Sequence, residues 1–553
     1  MTNKFDELLT QLGTGKWSYL YFLMVGYHFF WVPTHGYNAA LIAPQVDYTC
    51  RSTNNAELSS DSCFYYVNTS SNNSQEHTCT SWIYDNSTFA STLTSEFNLV
   101  CDKANFRAYY TSAYMMGNFI GNPIAGVLGD RIGRKKVTMA AALLYCIGGI
   151  LIATLPSLTG VLIARAFMGL AQVPNHYILM MEVCEPKWRS LAGIASAIPW
   201  AIGTMTLGAT GYLLRDWRDL QLAMSIPILF VIPIIWLCDE SPRWLIVNGR
   251  HGEALKVLRR AARLNKSTLP AEEELMELMY HIQREAELFD FSTSASNTTN
   301  LDNTSMSNTY EIEPKSDESK HTHAAKAALK SSCLVCSSWT VGKISIIMFI
   351  DFLVASMVFY GLSINGTSYS DNPYIYMVLI GLVESPGYIF GGSIVSRFGR
   401  RAPSCICFLI SGTALLVLAF IPTGNSLLVM GLALLGKLCI SAAFQMIFLY
   451  VTELFPTIMR QQGMGYSEVG ARSGSFISPL ITEILSREVS WGPAAVFGGS
   501  SLVAGALTFL LHETNKVPLP DTIQDLKEII AKRKMNKNDD GNASSAEKDQ
   551  LNH

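Results

Sequence analysis

Several ionisable residues lie inside stretches otherwise apolar enough for a lipid bilayer. They are Arg165 in RAFMGLAQ, Glu384 in GLVESPGYIF, Lys437 in GLALLGKLCI, and Glu468 with Arg472 in GYSEVGARSGSF. A charge away from water is costly, so each needs a partner or a wet cavity. Glu384 has Pro386 and Gly387 beside it, and these loosen a helix enough to turn a carboxylate toward such a cavity. It either receives an ammonium group or pairs within the protein. Arg472 offers two parallel donors, which suit a carboxylate. Glu468 is four residues earlier on the same helix face. Arg472 is therefore either a fork for a bound carboxylate or the partner of Glu468. Glu483 returns to nearly that face about 16 Å along a straight helix. Arg165 either organises a cavity or is held by backbone, and Lys437 pairs structurally.

One cavity with Glu384 on one wall and Arg472 on the other suits a zwitterion. Aromatic faces attract quaternary ammonium groups, and Tyr37, Tyr177, Phe359, Tyr360 and Phe444 are the candidates for its sides. Each taken singly is equally at home as ordinary packing. His28 and His35 either relay protons or are satisfied by neighbours.

The elements that carry these residues are membrane spans. Hydrophobic residues are 49% of the 553-residue chain, charged residues 15%, and the net charge is −3. That excludes a mainly soluble fold and gives no basic field for nucleic acid. A spanning helix needs about 20 mostly apolar residues. Windows of that kind fall at 17–41, 107–128, 137–157, 160–183, 190–213 and 220–237, here spans 1 to 6. Spans 7 to 12 follow at 342–364, 373–395, 402–421, 426–452, 462–486 and 491–511. The first fifteen residues carry Asp6 and Glu7 and no apolar core, so the first span is expected to act as insertion signal. Lys and Arg cluster in GDRIGRKK (129–136), in SRFGRRA (396–402), and at Lys187, Arg189 and Arg460. All lie on one side if the spans alternate, which places that side and both termini in the cytosol.

The opposite side owns the 43–106 loop. It holds Cys50, Cys63, Cys79 and Cys101 and the N-x-S/T sites Asn68, Asn72 and Asn86. An oxidising, glycosylating compartment explains both, with two disulfides of open pairing. The division expected is a six-helix half at 1–237, a cytosolic loop at 238–341, a second half at 342–515 and a cytosolic tail at 516–553. Within the loop, 242–266 has helical periodicity and a basic face. It lies either on anionic lipid or packed under the bundle. Residues 290–325 read as irregular, and the C-x-x-C at Cys333 and Cys336 lacks a second ligand pair for a metal. The tail after about residue 525 reads as charged and mobile.

The halves repeat one another. Glu182 and Arg189 end span 4 with the spacing of Glu453 and Arg460 at the end of span 10. Asp130, Gly133 and Arg134 correspond to Gly399 and Arg400, and Glu240 to Glu513. The offsets are all about 270 residues. A duplicated six-helix half is the mark of a carrier whose site lies between repeats.

On these residues the chain resembles the major facilitator superfamily. EFNLVC (96–101), DESPRWL (239–245), FYGL (359–362), ELFPTIMRQQGMG (453–465) and PLPDTIQDL (518–526) resemble its organic cation, carnitine and organic anion transporter family. The resemblance covers nearly the whole chain. It implies an all-α membrane protein of twelve helices in two six-helix pseudo-repeats, working by alternating access at the plasma membrane. Substrates implied are small organic cations, zwitterions such as carnitine, or organic anions, with sodium or counter-anion coupling and no cofactor or metal. The VE-x-P-x-Y pattern at Glu384 is similar to cation- and carnitine-type members. Arginine at 472 is similar to anion- and carnitine-type members, and Glu468 departs from that pattern. Asp130, Arg134, Glu182, Arg189, Glu240, Arg400, Glu453, Arg460 and Glu513 then read as an inner gate of ion pairs, or as topology anchors alone. Two other readings are an anion exchanger using Arg472 and a receptor or adhesion protein working through the cysteine loop. No nucleophile–base pair, Walker loop or H-E-x-x-H motif supports an enzyme.

Overall fold

In the computed structural model the described residues are 2–51, 56–58, 63–69, 73–172, 174–296, 338–421, 425–456, 459–515, 517, 520 and 523–531. Each of the twelve spans contains a helix. Seven helices among the described residues are long and apolar enough to cross a membrane: Arg134–Thr154, Leu191–Leu213, Trp217–Leu237, Trp339–Ile364, Arg401–Phe420, Ser426–Leu454 and Gly492–Phe509. The remaining spans are Lys16–Gly36, Asn105–Ile132, Leu158–Leu170 with Asn175–Val183, Pro373–Phe398 and Arg460–Leu480. Span 4 is interrupted after Leu170, and span 11 carries Glu468, Arg472 and a run of serines and glycines. Such helices suit a protein-facing position better than a lipid-facing one.

Two helix pairs join the halves. Span 5 packs on span 8, where a side chain at Gly381 would strike the Ala201 carbonyl and one at Gly208 the Tyr374 carbonyl. Span 2 meets span 11, where the Ser112 hydroxyl donates to the Phe476 carbonyl at 3.3 Å. Small residues let backbones approach closely, which is how helices associate without a hydrophobic driving force.

The repeat is visible in matched caps. Helix Arg134–Thr154 begins after Gly133 at φ 110°, and helix Arg401–Phe420 begins after Gly399 at φ 91° and Arg400. A Cβ at either glycine would collide with a carboxylate, Glu240 in one half and Glu513 in the other. Glu240 accepts from the Lys135 N–H at 3.0 Å, and Glu513 from the Arg400 and Arg401 N–H groups at 2.9 and 3.0 Å. A carboxylate at a helix N-terminus satisfies orphan donors and the positive end of the helix dipole.

The face bearing residues 43–104 is here the loop face. Strand β1 (Tyr48–Cys50) pairs with β5 (Trp82–Tyr84), and β2 (Ala56–Leu58), β3 (Phe64–Thr69) and β4 (Asn73–Thr78) form a meander. The open disulfide pairing resolves as Cys50–Cys79 and Cys63–Cys101. Glu96 accepts from Trp217 Nε1 at 2.8 Å and pairs with Arg218 at 2.5 Å, tying this domain to span 6. Asn86 is exposed, Asn68 lies in β3, and Asn72 falls outside the described residues.

The opposite, platform face carries helices Thr2–Leu12, Pro242–Val247, His251–Asn265 and Glu272–Ser296. The first of these is not evident from the sequence. Its Phe5, Leu8, Leu9 and Leu12 are buried, as are Leu255 and Leu258 of the basic helix. Asn265 bonds the Gly13 carbonyl at 2.8 Å, and Arg260 pairs with Asp239 at 2.7 Å. The basic helix is thus packed under the bundle. Two expectations change. The helix to Ser296 enters the stretch read as irregular from 290, and 523–531 is helical with Leu526 buried. Cys333 and Cys336 fall outside the described residues.

Glu513 gives a pH test. Burial pushes its carboxyl up, but the N–H groups of Arg400, Asn515, Arg401 and Thr514 outweigh that and hold it below its ordinary 4.5. A carboxylate depressed in the fold adds stability above its ordinary value, and loses it as pH falls through the lowered one. The cap is half open to solvent, so the effect is at most about 1 kcal/mol. Melting of the detergent-purified protein is expected to start lower in Glu513→Gln and to fall less steeply on acidification below about pH 4.5. Parallel profiles for the two proteins would refute this.

Candidate functional site

Span 10 brings Lys437 to the middle of the second half and span 8 brings Glu384. Both side chains are fully buried, with Lys437 Nζ 2.8 Å from Glu384 Oε1. Nζ also donates to the Phe359 carbonyl at 3.0 Å and the Ser363 hydroxyl at 2.6 Å. An ammonium has three protons, and all three are placed. The group also stands 3.2 Å from the centroid of the Phe359 ring.

Glu384 is not filled in the same way. Oε1 accepts from Lys437 and, at 3.5 Å, from the Tyr37 hydroxyl of the other half. Oε2 is buried and has no hydrogen-bond partner. Tyr388, one turn along, faces the carboxylate without closing a bond of normal geometry. Tyr37 in turn accepts from Trp200 Nε1 at 3.3 Å. Its ring lies 5.8 Å from Tyr360 and 6.2 Å from Phe359, and Phe359 lies 5.8 Å from Phe444. These four expected aromatics therefore gather round the ion pair. Tyr177 does not: it stacks on Phe29 at 6.1 Å and reaches the group only through Phe29 and Trp200.

Arg472 and Glu468 form a looser pair, 3.4 Å between Nη2 and Oε2, with side chains 30% and 29% exposed. Arg472 Nε has no partner. Tyr360 lies within electrostatic reach of Arg472, Glu384 and Glu468 alike. Each pair leaves one polar atom unsatisfied, an acceptor on Glu384 and a donor on Arg472.

Arg165 is held rather than paired. Nη2 donates to the His35 carbonyl at 2.7 Å and Asn38 Oδ1 at 2.8 Å, and the guanidinium lies over the Tyr110 and Tyr114 rings at 4.4 and 4.6 Å. The His28 and His176 rings lie 3.9 Å apart, tilted by 46° to one another.

At the platform face several of these charges pair inside their own halves. Arg134 meets Asp130 at 2.6 Å and Glu182 at 3.6 Å, and Arg400 meets Glu453 at 2.8 Å. Arg189 does not meet Glu182; it pairs with Asp6 of the N-terminal helix at 2.7 Å. Arg460 opens span 11. Of the residues expected to form an inner gate, Arg134 with Glu182 and Arg400 with Glu453 are paired in this conformation. An ion pair that joins the halves lies at the loop face, between Arg107 of span 2 and Glu483 after helix Arg460–Leu480. Glu483 sits in a π-helical turn, Ile481–Leu485, so the straight-helix placement along the Arg472 face does not hold. The sequence points to neither partner. A lone arginine at the start of a span reads as an interfacial anchor, and its acid is 376 residues away. Trp200 and Tyr388 likewise escape a reading by residue type, because aromatic residues in spans are common.

A two-fold repeat of six helices with paired charges between the halves defines a carrier. The chain matches the sugar (and other) transporter family over residues 52–522 and belongs to it. It is 30% identical to an organic cation transporter protein of Drosophila melanogaster over 81% of this chain and 76% of that one. It is also 30% identical to mouse solute carrier family 22 member 6, over 95% and 94%, and 28% identical to mouse organic anion transporter 3, over 96% of each. Among solved structures it is similar to the partially occluded inward-open xylose transporter XylE of E. coli. The TM-score there is 0.57 at 13% identity, covering 90% of this chain and 100% of that one.

Breaking the Arg107–Glu483 pair is expected to loosen the loop face. Ser112, buried where spans 2 and 11 meet, reports it. A cysteine at Ser112 is expected to react with an impermeant maleimide about tenfold faster when Glu483→Gln is added, a shift of about 1.4 kcal/mol. Equal rates would mean the pair does not hold that face shut.

Proposed function

We propose that the chain carries small organic cations and zwitterions across the plasma membrane by alternating access. In this reading the loop face is outside, the platform face and both termini are cytosolic, and Asn86 is glycosylated. The observation that carries it is the complementary pair of unsatisfied atoms, Glu384 Oε2 and Arg472 Nε, on two side chains within electrostatic reach of Tyr360. A substrate ammonium can reach Oε2 among the faces of Tyr37, Phe359, Tyr360 and Phe444. A substrate carboxylate can reach Arg472 by displacing Glu468, whose bond is long and partly exposed. The closed loop face suits a state loaded from, or emptying to, the platform side. The names of the Drosophila and mouse relatives support an organic ion as cargo.

Organic anion exchange is the second reading. It is favoured by the saturated Lys437, which already neutralises Glu384 and leaves Arg472 as the more available charge.

The test is uptake by the purified protein in liposomes of radiolabelled carnitine, a quaternary ammonium and an aryl carboxylate, with and without a sodium gradient. Glu384→Gln is expected to cut carnitine and quaternary ammonium uptake at least about tenfold, a loss of about 1.4 kcal/mol. Arg472→Ala is expected to cut only the carboxylate-bearing substrates. Undiminished cation uptake in Glu384→Gln would overturn the reading. Trans-stimulation by a dicarboxylate, lost in Arg472→Ala, would establish the exchanger instead.

A further inference from the structure

Asp351 lies in span 7, outside the site just described. It is fully buried, and it faces spans 9, 10 and 12 of its own half. Its Oδ2 is 2.9 Å from Thr508 Oγ1, and Oδ1 has no hydrogen-bond partner. Among the described residues no cation stands within ion-pair distance of it. A carboxylate so placed would be a buried anion held by one neutral hydroxyl, which is a costly arrangement.

The proton count removes that difficulty. Thr508 Oγ1 is also 2.8 Å from the Ala504 carbonyl, one turn earlier in span 12. Two short contacts between oxygens need two protons, and a threonine hydroxyl supplies one. If the carboxyl brings the second, Asp351 donates to Thr508 Oγ1 and Thr508 donates to the Ala504 carbonyl. No charge then remains to be compensated.

We infer that Asp351 is a proton-binding site within the membrane, in exchange with the platform face. The groups that face it are Thr508 from span 12, Cys405 from span 9 and Tyr450 from span 10, and Arg401 of span 9 is within electrostatic reach of both Cys405 and Tyr450. Tyr450 supplies the link to that face. Its hydroxyl donates to the His512 carbonyl at 2.5 Å and lies within electrostatic reach of Asp351, Glu453, Glu513 and Arg401. Arg401 rests on the Phe509 ring at 4.2 Å, one residue beyond Thr508. Loss of the proton from Asp351 leaves a carboxylate that draws Arg401 inward, beside the Glu513 cap. The proton goes to platform-side water, so the occupancy of Asp351 ties the cluster at that face to pH.

Infrared spectroscopy of the full chain in liposomes tests this directly. A protonated carboxyl gives a C=O stretching band distinct from that of carboxylates. The wild type is expected to show such a band at neutral pH, absent in Asp351→Asn and shifted, not lost, in Thr508→Val. The band is expected to fade on alkalinisation; wild-type thermal stability is expected to fall with rising pH while the band persists and to level off once it is gone, and Asp351→Asn to stay flat throughout. If Asp351→Asn does not fold, the Thr508→Val shift still decides. A wild type without the band, or one whose band ignores Thr508→Val, would overturn the proposal, as would parallel stability profiles.

Discussion

An ammonium group in hydrocarbon has nowhere to send its protons except to the protein. Lys437 places one on Glu384, one on the Phe359 carbonyl and one on Ser363. Those partners come from spans 7 and 8, so a single side chain on span 10 fixes three helices against one another. It also fixes which carboxylate oxygen is used. Oε1 is consumed by the lysine, and Oε2 is left in the aromatic surround. The position of Tyr37, the one member of that surround from the other half, then follows from the Glu384 and Trp200 hydrogen bonds.

The same demand for partners explains why each half holds together while the boundary between them stays light. Arg134 with Glu182 beside the Glu240 cap on the Lys135 N–H, and Arg400 with Glu453 beside the Glu513 cap, are two copies of one arrangement, and each of these contacts lies within one half. The boundary instead uses close backbone approach at Gly208 and Gly381, a few hydrogen bonds, and the Arg107–Glu483 pair. Backbone contact between small residues resists sliding weakly. The boundary is therefore the lightly held part of the fold.

Much of this is legible in the order of the amino acids. The twelve spans follow from windows of apolar residues, and the repeat follows from offsets such as Glu182 to Glu453. Four of the five aromatics named from residue type do surround Glu384. Local patterns carry no information about partners distant along the chain. Arg107 and Glu483 are far apart in sequence, and the turn that aims Glu483 departs from the α-helical period that would place it. Spacing matches Arg189 to Glu182, yet its acid, Asp6, sits in a segment that looks like a mere leader. The helix at Thr2–Leu12 is hard to read because its apolar face is short and interleaved with polar residues. Pairing on chemistry alone also leaves Arg472 undecided between Glu468 and a substrate. The geometry shows the bond to Glu468 and, in its length, how little holds it.

The N-terminal helix and the helices from Pro242 onward are fastened by Asp6 to Arg189, Asn265 to Gly13, Trp17 to Asp239 and Trp244 to Asp130. All those anchor points belong to the first six-helix unit. On the far side, the disulfide-bonded domain is fastened to the same unit through Glu96 and Arg218, and touches the second by the Tyr374 hydroxyl on the Thr88 carbonyl at 2.9 Å. One unit thus carries both appendages, and the unit that holds Lys437, Glu384 and Asp351 carries neither, so the ionised centre belongs to the less encumbered of the two bodies.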